Sequence, residues 1–152
     1  MSMADIATTI VSTNHEIVIE HIANLNAHGL NEALSDKYDY NELPKTKFLN
    51  LLNGVFSQLK SNGSVRLDVV PSICAGCQAG ARVKLFICEK TKSFLAFAID
   101  VNDQSEVTDI FSCNKFTIKH FPNYEDYVHI SFDTDNNSFF LIKPLKGLPA
   151  GE

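Results

Sequence analysis

Apolar residues recur with a helical period through the first third of the chain. A capping box that starts at Thr13 predicts a helix over 14–28, with Gly29 as its C-terminal cap. A second, short helix is predicted over 30–37, and Pro44 fits the first turn of a third helix. The third helix has one wide apolar face, made of Phe48, Leu51, Leu52, Val55, Phe56 and Leu59.

After Gly63 the hydrophobic period changes to two, which is typical of half-buried strands. The alternation predicts strands over 65–69, 82–88, 94–101 and 107–116, and a last hairpin over 127–133 and 138–143. The turns between the middle strands are too short for parallel crossovers, so we expect an antiparallel meander. The sequence thus predicts an α+β fold with three N-terminal helices packed on a curved antiparallel sheet. One domain is expected over 1–143, followed by a flexible tail over 144–152.

Composition and charge narrow the class of protein. The chain has 152 residues and a formal net charge of -5, which argues against a nucleic-acid-binding surface because such surfaces are basic. No apolar run approaches the length of a membrane span, and the first residues lack the basic segment of a signal peptide. Four cysteines without an export signal indicate thiols in a reducing compartment. We therefore expect a cytoplasmic protein.

Two segments carry a family resemblance. The stretch over 21–34, His-Ile-Ala-Asn-Leu-Asn-Ala-His-Gly-Leu-Asn-Glu-Ala-Leu, followed by Tyr38-Asp39-Tyr40, is similar to the opening helix pair of the nuclear transport factor 2-like superfamily. The segment over 97–111 resembles the last hairpin of that superfamily. The resemblance implies a cystatin-like α+β cone. Two departures are that only 38–43 is available for the family's small hairpin, and that the hairpin over 127–143 is an addition.

The superfamily includes steroid delta-isomerases, whose chemistry needs a carboxylate base and two oxyanion donors, a tyrosine and a protonated aspartic acid. Alignment to that family places His21 at the position of the tyrosine, Lys45 at that of the base and Phe97 at that of the acid. Lysine and phenylalanine cannot perform those roles. The sequence therefore predicts no catalytic residues of this kind and favours a non-enzymatic protein.

A ligand site is expected between the helices and the sheet, near His21, Leu25, Tyr38 and Phe97. His21 lies between Ile17 and Leu25 at helical spacing, on the face that should point inward. Its imidazole then needs hydrogen-bond partners, so it could bond to a ligand in this cavity. We expect a small apolar ligand there. The alternative is a core histidine that bonds to a backbone carbonyl or a water molecule.

The pair Cys74 and Cys77 forms a CxxC motif, which can hold zinc or act as a redox pair. A structural zinc site needs two more ligands, and Cys88, Cys113 and His120 are the candidates. The predicted strand pairing sets Cys113 opposite Phe94 and puts Cys88 and Cys113 about 20 Å from the motif. We therefore expect no metal and no cofactor, with zinc at Cys74 and Cys77 as the alternative.

Both faces of the predicted sheet are apolar. One face carries Leu95, Phe97, Ile99 and Ile110, and the other carries Val83, Leu85, Ile87, Phe94, Val107 and Phe111. Three helices can cover only one face, so the other needs the terminal hairpin or a second subunit. We expect a homodimer that packs through this face, as the resemblance also implies.

Three polar residues of the sheet are interpreted as ordinary surface groups. Asp100 and Asp109 share a face with small residues, which could floor a polar pocket, but both lie near a turn where solvated carboxylates are common. His129 alternates with apolar neighbours in the last hairpin, and we expect it on the solvent face.

Overall fold

Three helices precede a six-stranded mixed β-sheet in the computed structural model, which describes residues 12–73, 82–113, 123–133 and 138–142. The helices are α1 (Asn14–Ala23), α2 (Ala27–Ala33) and α3 (Lys45–Ser61), with a 3₁₀ turn at Tyr124–Asp126. The strands are β1 (Asp68–Ile73), β2 (Arg82–Cys88), β3 (Ser93–Val101), β4 (Val107–Ser112), β5 (Val128–Asp133) and β6 (Ser138–Ile142). The predicted α+β class is confirmed, and the predicted tail lies outside the described residues.

The boundary between the first two helices differs from the prediction. The capping box is present, with the Glu16 N–H donating to Thr13 Oγ1 (3.1 Å). However, α1 ends early because Leu25 adopts a positive φ of 57° and turns the chain. The Asn26 side chain then caps α2 by accepting from the N–H of Gly29 (2.9 Å). Gly29 therefore lies inside α2, and its predicted role as a C-terminal cap is wrong.

The predicted apolar face of α3 is confirmed, since all six of its residues are buried. Pro44 occupies the N-cap position, and the helix ends before Gly63, whose φ is +93°. A small hairpin precedes α3, because Tyr40 bridges Leu43 across two residues with positive φ. The segment over 38–43 is thus long enough for a hairpin.

The first four strands form the predicted antiparallel meander, with Asp68 opposite Ile87 and Cys88 opposite Ser93. The first strand begins later than predicted, and Val65 is 84% exposed. A register shift lies between Asp100 and Val101 in the pairing of β3 with β4. The shift moves the later residues of β4 along β3, so the predicted placement of Cys113 opposite Phe94 is wrong.

The hairpin β5–β6 joins the same sheet, but through a parallel contact. The second edge of β3 pairs with β4 at its C-terminal half and with β5 at its N-terminal half, from Ser93 opposite Val128 to Leu95 opposite Ile130. The expectation of an entirely antiparallel sheet is therefore wrong. It rested on the short turns between consecutive strands, whereas β5 follows β3 only after β4 and the connection over 113–127.

Two apolar clusters sandwich the sheet. The first lies under the helices and contains a row of neighbouring rings with centroids 5.5–6.0 Å apart: Tyr40, Phe48, Phe132, Phe97 and Phe86. The second covers the other face, where Val83, Leu85 and Phe94 are each 1% exposed. Val107 belongs to the first cluster and not to the predicted second, since the register shift turns it over.

Most of the described side chains of the second face are already buried within one chain, and Val70 and Phe111 are partly buried. The buried side chains provide no drive for a second subunit, which removes the main physical argument for a dimer through this face. His129 also lies on this face, next to Phe94, and is only 3% exposed. Its predicted position on the solvent face is wrong, because both faces of this sheet are covered.

The outer edge of β4 is capped by side chains from the helical half of the chain. The N–H of Val107 donates to Asn14 Oδ1 (2.8 Å), and the N–H of Ser112 donates to Asn41 Oδ1 (2.9 Å). Asn14 also donates to the carbonyl of Ala33 in α2 (2.8 Å). These bonds attach the first two helices and the small hairpin to the sheet, and they close this edge to other strands.

Candidate functional site

The structure does not bring the four predicted ligand residues together around one surface. Leu25 and Phe97 are buried in the first cluster, where Phe97 contacts two other rings. Tyr38 packs against the edge of this cluster, with its hydroxyl 3.5 Å from Glu106 Oε1. His21 instead lines a surface hollow on α1.

His21 is half-exposed because α1 presents a different face to the core. Its buried residues include Val18 and Ile22, while Ile17 is 38% exposed. The His21 ring packs over Gly29, where a Cβ atom would overlap the imidazole, and Nδ1 lies 3.2 Å from Asn26 Nδ2. The contacts of His21 thus join α1 to the start of α2.

Lys45 occupies the position of the isomerase base in the alignment, and its contacts are structural. Its ammonium donates to the carbonyls of Asn31 and Leu34 (2.7 Å each) and to Asp36 Oδ1 (2.8 Å). Only 12% of its side chain is exposed. The cation therefore satisfies carbonyls at the C-terminal end of α2, where the helix dipole also favours positive charge.

Replacing Lys45 with methionine should lower the free energy of unfolding by about 2 kcal/mol, since a charged donor is lost and the partly buried carbonyl of Leu34 is left without it. Urea denaturation measures the change. Asp36→Ala is the matched control, because 92% of the Asp36 side chain is exposed and its ion pair should contribute less than about 1 kcal/mol. Equal losses in both variants would contradict the capping role.

The described cysteines do not form a shared metal site. Cys88 lies in the first cluster and Cys113 in the second, on opposite faces of the sheet. Cys113 donates its N–H to the carbonyl of Ala96 (2.9 Å), which places the two cysteines two strands and three residues apart, about 14 Å. Among the described residues, no group of three or more His, Cys, Asp or Glu side chains is arranged to hold a metal ion.

Cys88 has a polar environment despite its burial. Its Sγ lies 2.7 Å from Ser64 Oγ. Burial raises the pKa of the Cys88 thiol, but hydrogen bonds from Ser64 and Thr91 outweigh it and hold the pKa below its ordinary value. Cys74 and Cys77 lie outside the described residues, so zinc binding there stays a prediction.

The acidic pair on the sheet lies across the pairing of β3 with β4. Asp100 and Asp109 are cross-strand partners, and Asp109 Oδ1 accepts from the N–H of Asn41 (3.0 Å). Burial raises the pKa of the Asp109 carboxyl. The contact of Asp109 with the small hairpin before α3 gives this carboxylate a structural role.

A cleft that the sequence did not predict lies on the helix side of the sheet, between the end of α3 and the hairpin β5–β6. We call it the hairpin cleft. Its volume is about 240 Å³. Four apolar side chains line it: Leu59, Val128, Ile130 and Leu141. Four uncharged polar side chains complete the part of the lining that the structure describes: Gln58, Asn62, Thr91 and Ser93.

The exposure of Leu141 distinguishes this cleft from an ordinary surface groove. Leu59 and Ile130 are nearly buried, but Leu141 is 63% exposed and presents apolar surface to the opening. The hydroxyls of Thr91 and Ser93 are 2.5 Å apart and lie beside this apolar surface. The arrangement offers a largely apolar lining with a few uncharged hydrogen-bonding groups, which is typical of small-molecule sites.

A second hollow of about 380 Å³ lies along the same helix and hairpin. Its lining includes Lys47 and Gly54 from α3, and Ser138 and Phe139 from β6. The presence of a lysine makes this hollow different in charge from the hairpin cleft. An anionic molecule is therefore expected to favour the second hollow over the cleft.

The structure has no helix, among the residues it describes, that is long and apolar enough to cross a membrane. Comparisons of the chain with protein-family models, with curated proteins and with solved structures find no match.

Proposed function

We propose that this protein is a non-enzymatic binding module that holds one small, neutral, mainly apolar molecule in the hairpin cleft. The observation that carries the proposal is the apolar lining around Leu141, which remains exposed beside a row of uncharged polar groups. Exposed leucine costs free energy in water, and a ligand that covers it would recover part of that cost. The proposal replaces the site expected around His21 and Phe97, since Phe97 is buried among other side chains.

The size and charge of the cleft define the class of ligand. A volume of about 240 Å³ corresponds to about eight or nine heavy atoms at roughly 30 Å³ each. The described lining is uncharged, so a carboxylate or an ammonium would lose water without gaining an ion pair. A chain of seven or eight carbons with one hydroxyl or carbonyl group meets both conditions, with its polar end near Thr91 and Ser93.

The test is a titration of the ¹⁵N-labelled protein with octan-1-ol, followed by amide chemical shifts. We expect saturable shifts at Leu59, Thr91, Ile130 and Leu141. Octanoate at pH 7 should bind the cleft at least tenfold more weakly, because its charge is not compensated there. Shifts near Lys47 with octanoate would report the second hollow and not the cleft.

Two exposed apolar residues allow a matched comparison. Leu141→Glu places a carboxylate at the cleft and should weaken octan-1-ol binding at least fivefold with little effect on stability. Val65→Glu makes the same chemical change at a site that does not line the cleft, and should leave binding unchanged. Unsaturable shifts, or equal effects of the two substitutions, would overturn the proposal.

We also propose that the fold is a divergent version of the nuclear transport factor 2-like cone. Three helices precede an antiparallel meander, and the small hairpin bridged by Tyr40 and Leu43 lies before α3, where the superfamily has one. The parallel pairing of β5 with β3 is the main departure. A similarity of this kind supports a binding role only through the fold, so the ligand is inferred from the cleft itself.

A further inference from the structure

Three strands lie at edges of the described sheet, and they differ in how the edge is protected. The edge of β4 is capped by Asn14 and Asn41. The edge strand β1 carries Asp68, whose charge discourages pairing with another strand. It also carries Pro71, which has no N–H to donate to such a strand. The third edge strand, β6, has the sequence Ser-Phe-Phe-Leu-Ile, with no charge, proline or glycine.

Within the described parts of the chain, β6 pairs only with β5. Leu141 of β6 is 63% exposed and Ser138 is also exposed, so this end of the sheet is open to solvent at those positions. An apolar, uncharged edge strand with an exposed leucine is the kind of strand that adds to another strand.

We propose that β6 pairs in an antiparallel manner with β6 of a second copy of this chain, joining two sheets across a twofold axis. The register that sets Phe140 opposite the partner's Phe140 also sets Leu141 opposite the partner's Phe139. This arrangement covers the exposed leucine with an aromatic ring on the helix side of the sheet, so pairing and ligand binding compete for Leu141.

The lack of charge on β6 and the symmetry of an antiparallel pair fit a second copy of this chain. Each molecule carries a net charge of -5, so two copies repel each other wherever acidic surface meets, but β6 itself brings no charge to the contact. An antiparallel strand pair is self-complementary. Its twofold symmetry pairs the outer edge of β6 in both copies, so no free β6 edge is left. The assembly therefore closes as a dimer and does not grow into a fibre.

The size of the contact sets the expected affinity. Five residues a side form a small interface, so we expect a dissociation constant in the micromolar range. Sedimentation velocity of the full chain, without ligand, should show 16.9 kDa at low concentration and twice that mass at high concentration. A monomer at every concentration up to 200 µM would overturn the proposal.

Substitution and hydrogen exchange locate the interface. Leu141→Lys puts like charges close together across the twofold axis and should raise the dissociation constant at least tenfold. Val65→Lys is the control and should dimerise as the wild type does. Raising the concentration from 2 to 200 µM should slow amide exchange over 138–142. A dimer that is insensitive to Leu141→Lys, or slower exchange only elsewhere, would overturn the inference while leaving the ligand proposal untouched.

Discussion

Replacing Phe97 with alanine is expected to lower the free energy of unfolding by about 3–5 kcal/mol, the largest effect we predict for a single residue. Phe97 has no exposed surface and lies between Phe132 and Phe86 in the row of rings. Its ring centroid is 5.5 Å from that of Phe132 and 6.0 Å from that of Phe86. Loss of the ring removes buried apolar contacts on both sides and leaves a cavity between β3 and its neighbours.

Urea denaturation followed by circular dichroism measures this loss. Phe97→Leu keeps most of the volume and should cost less than about 1.5 kcal/mol, so it stays folded if the alanine variant does not. Its binding of octan-1-ol should match that of the wild type, because Phe97 does not line the hairpin cleft. A stable Phe97→Leu variant that loses ligand binding would instead support the site expected from the sequence.

Local sequence patterns predicted the elements whose structure depends on nearby residues. The bounds of β2 match the predicted 82–88, and every residue of the predicted apolar face of α3 is buried. The end of α1 could not be predicted in this way. Leu25 adopts a positive φ, which costs free energy for a non-glycine residue, and its burial in the first cluster offsets that cost. Such tertiary compensation leaves no local signal.

The pairing of β5 with β3 is also a non-local feature, and it explains why the candidate site was missed. The hairpin cleft takes its lining from the end of α3, the turn before β3, and both strands of the hairpin. These segments meet only because β5 lies parallel to the start of β3. One signal was available in the sequence. The run Phe-Phe-Leu-Ile over 139–142 does not alternate with polar residues, which indicates a last strand with apolar side chains on both faces.

His129 was expected at the surface because only one face of the hairpin was expected to be buried. Its burial lowers the pKa of the imidazole to about 4, from an ordinary value near 6.5. The ring stacks on Phe94, with centroids 4.8 Å apart and planes only 6° from parallel. The folded protein thus holds His129 neutral at a pH where the unfolded chain already binds a proton there.

This difference makes the protein sensitive to mild acid. Because the pKa is depressed in the folded state, the stabilisation is fully present above about pH 6.5 and is lost as the pH falls toward 4. The total loss from this group is about 3 kcal/mol, and roughly 2 kcal/mol of it should appear between pH 7 and pH 5. Urea denaturation at the two pH values measures the change in the free energy of unfolding.

The variant His129→Phe isolates the contribution of the imidazole. It keeps an aromatic ring beside Phe94 but cannot bind a proton, so the loss between pH 7 and pH 5 should shrink by about 2 kcal/mol. Carboxyl groups, including Asp109, whose pKa burial raises, are common to both proteins and cancel in the difference. Equal pH dependence in the wild type and His129→Phe would show that the acid sensitivity arises from other groups.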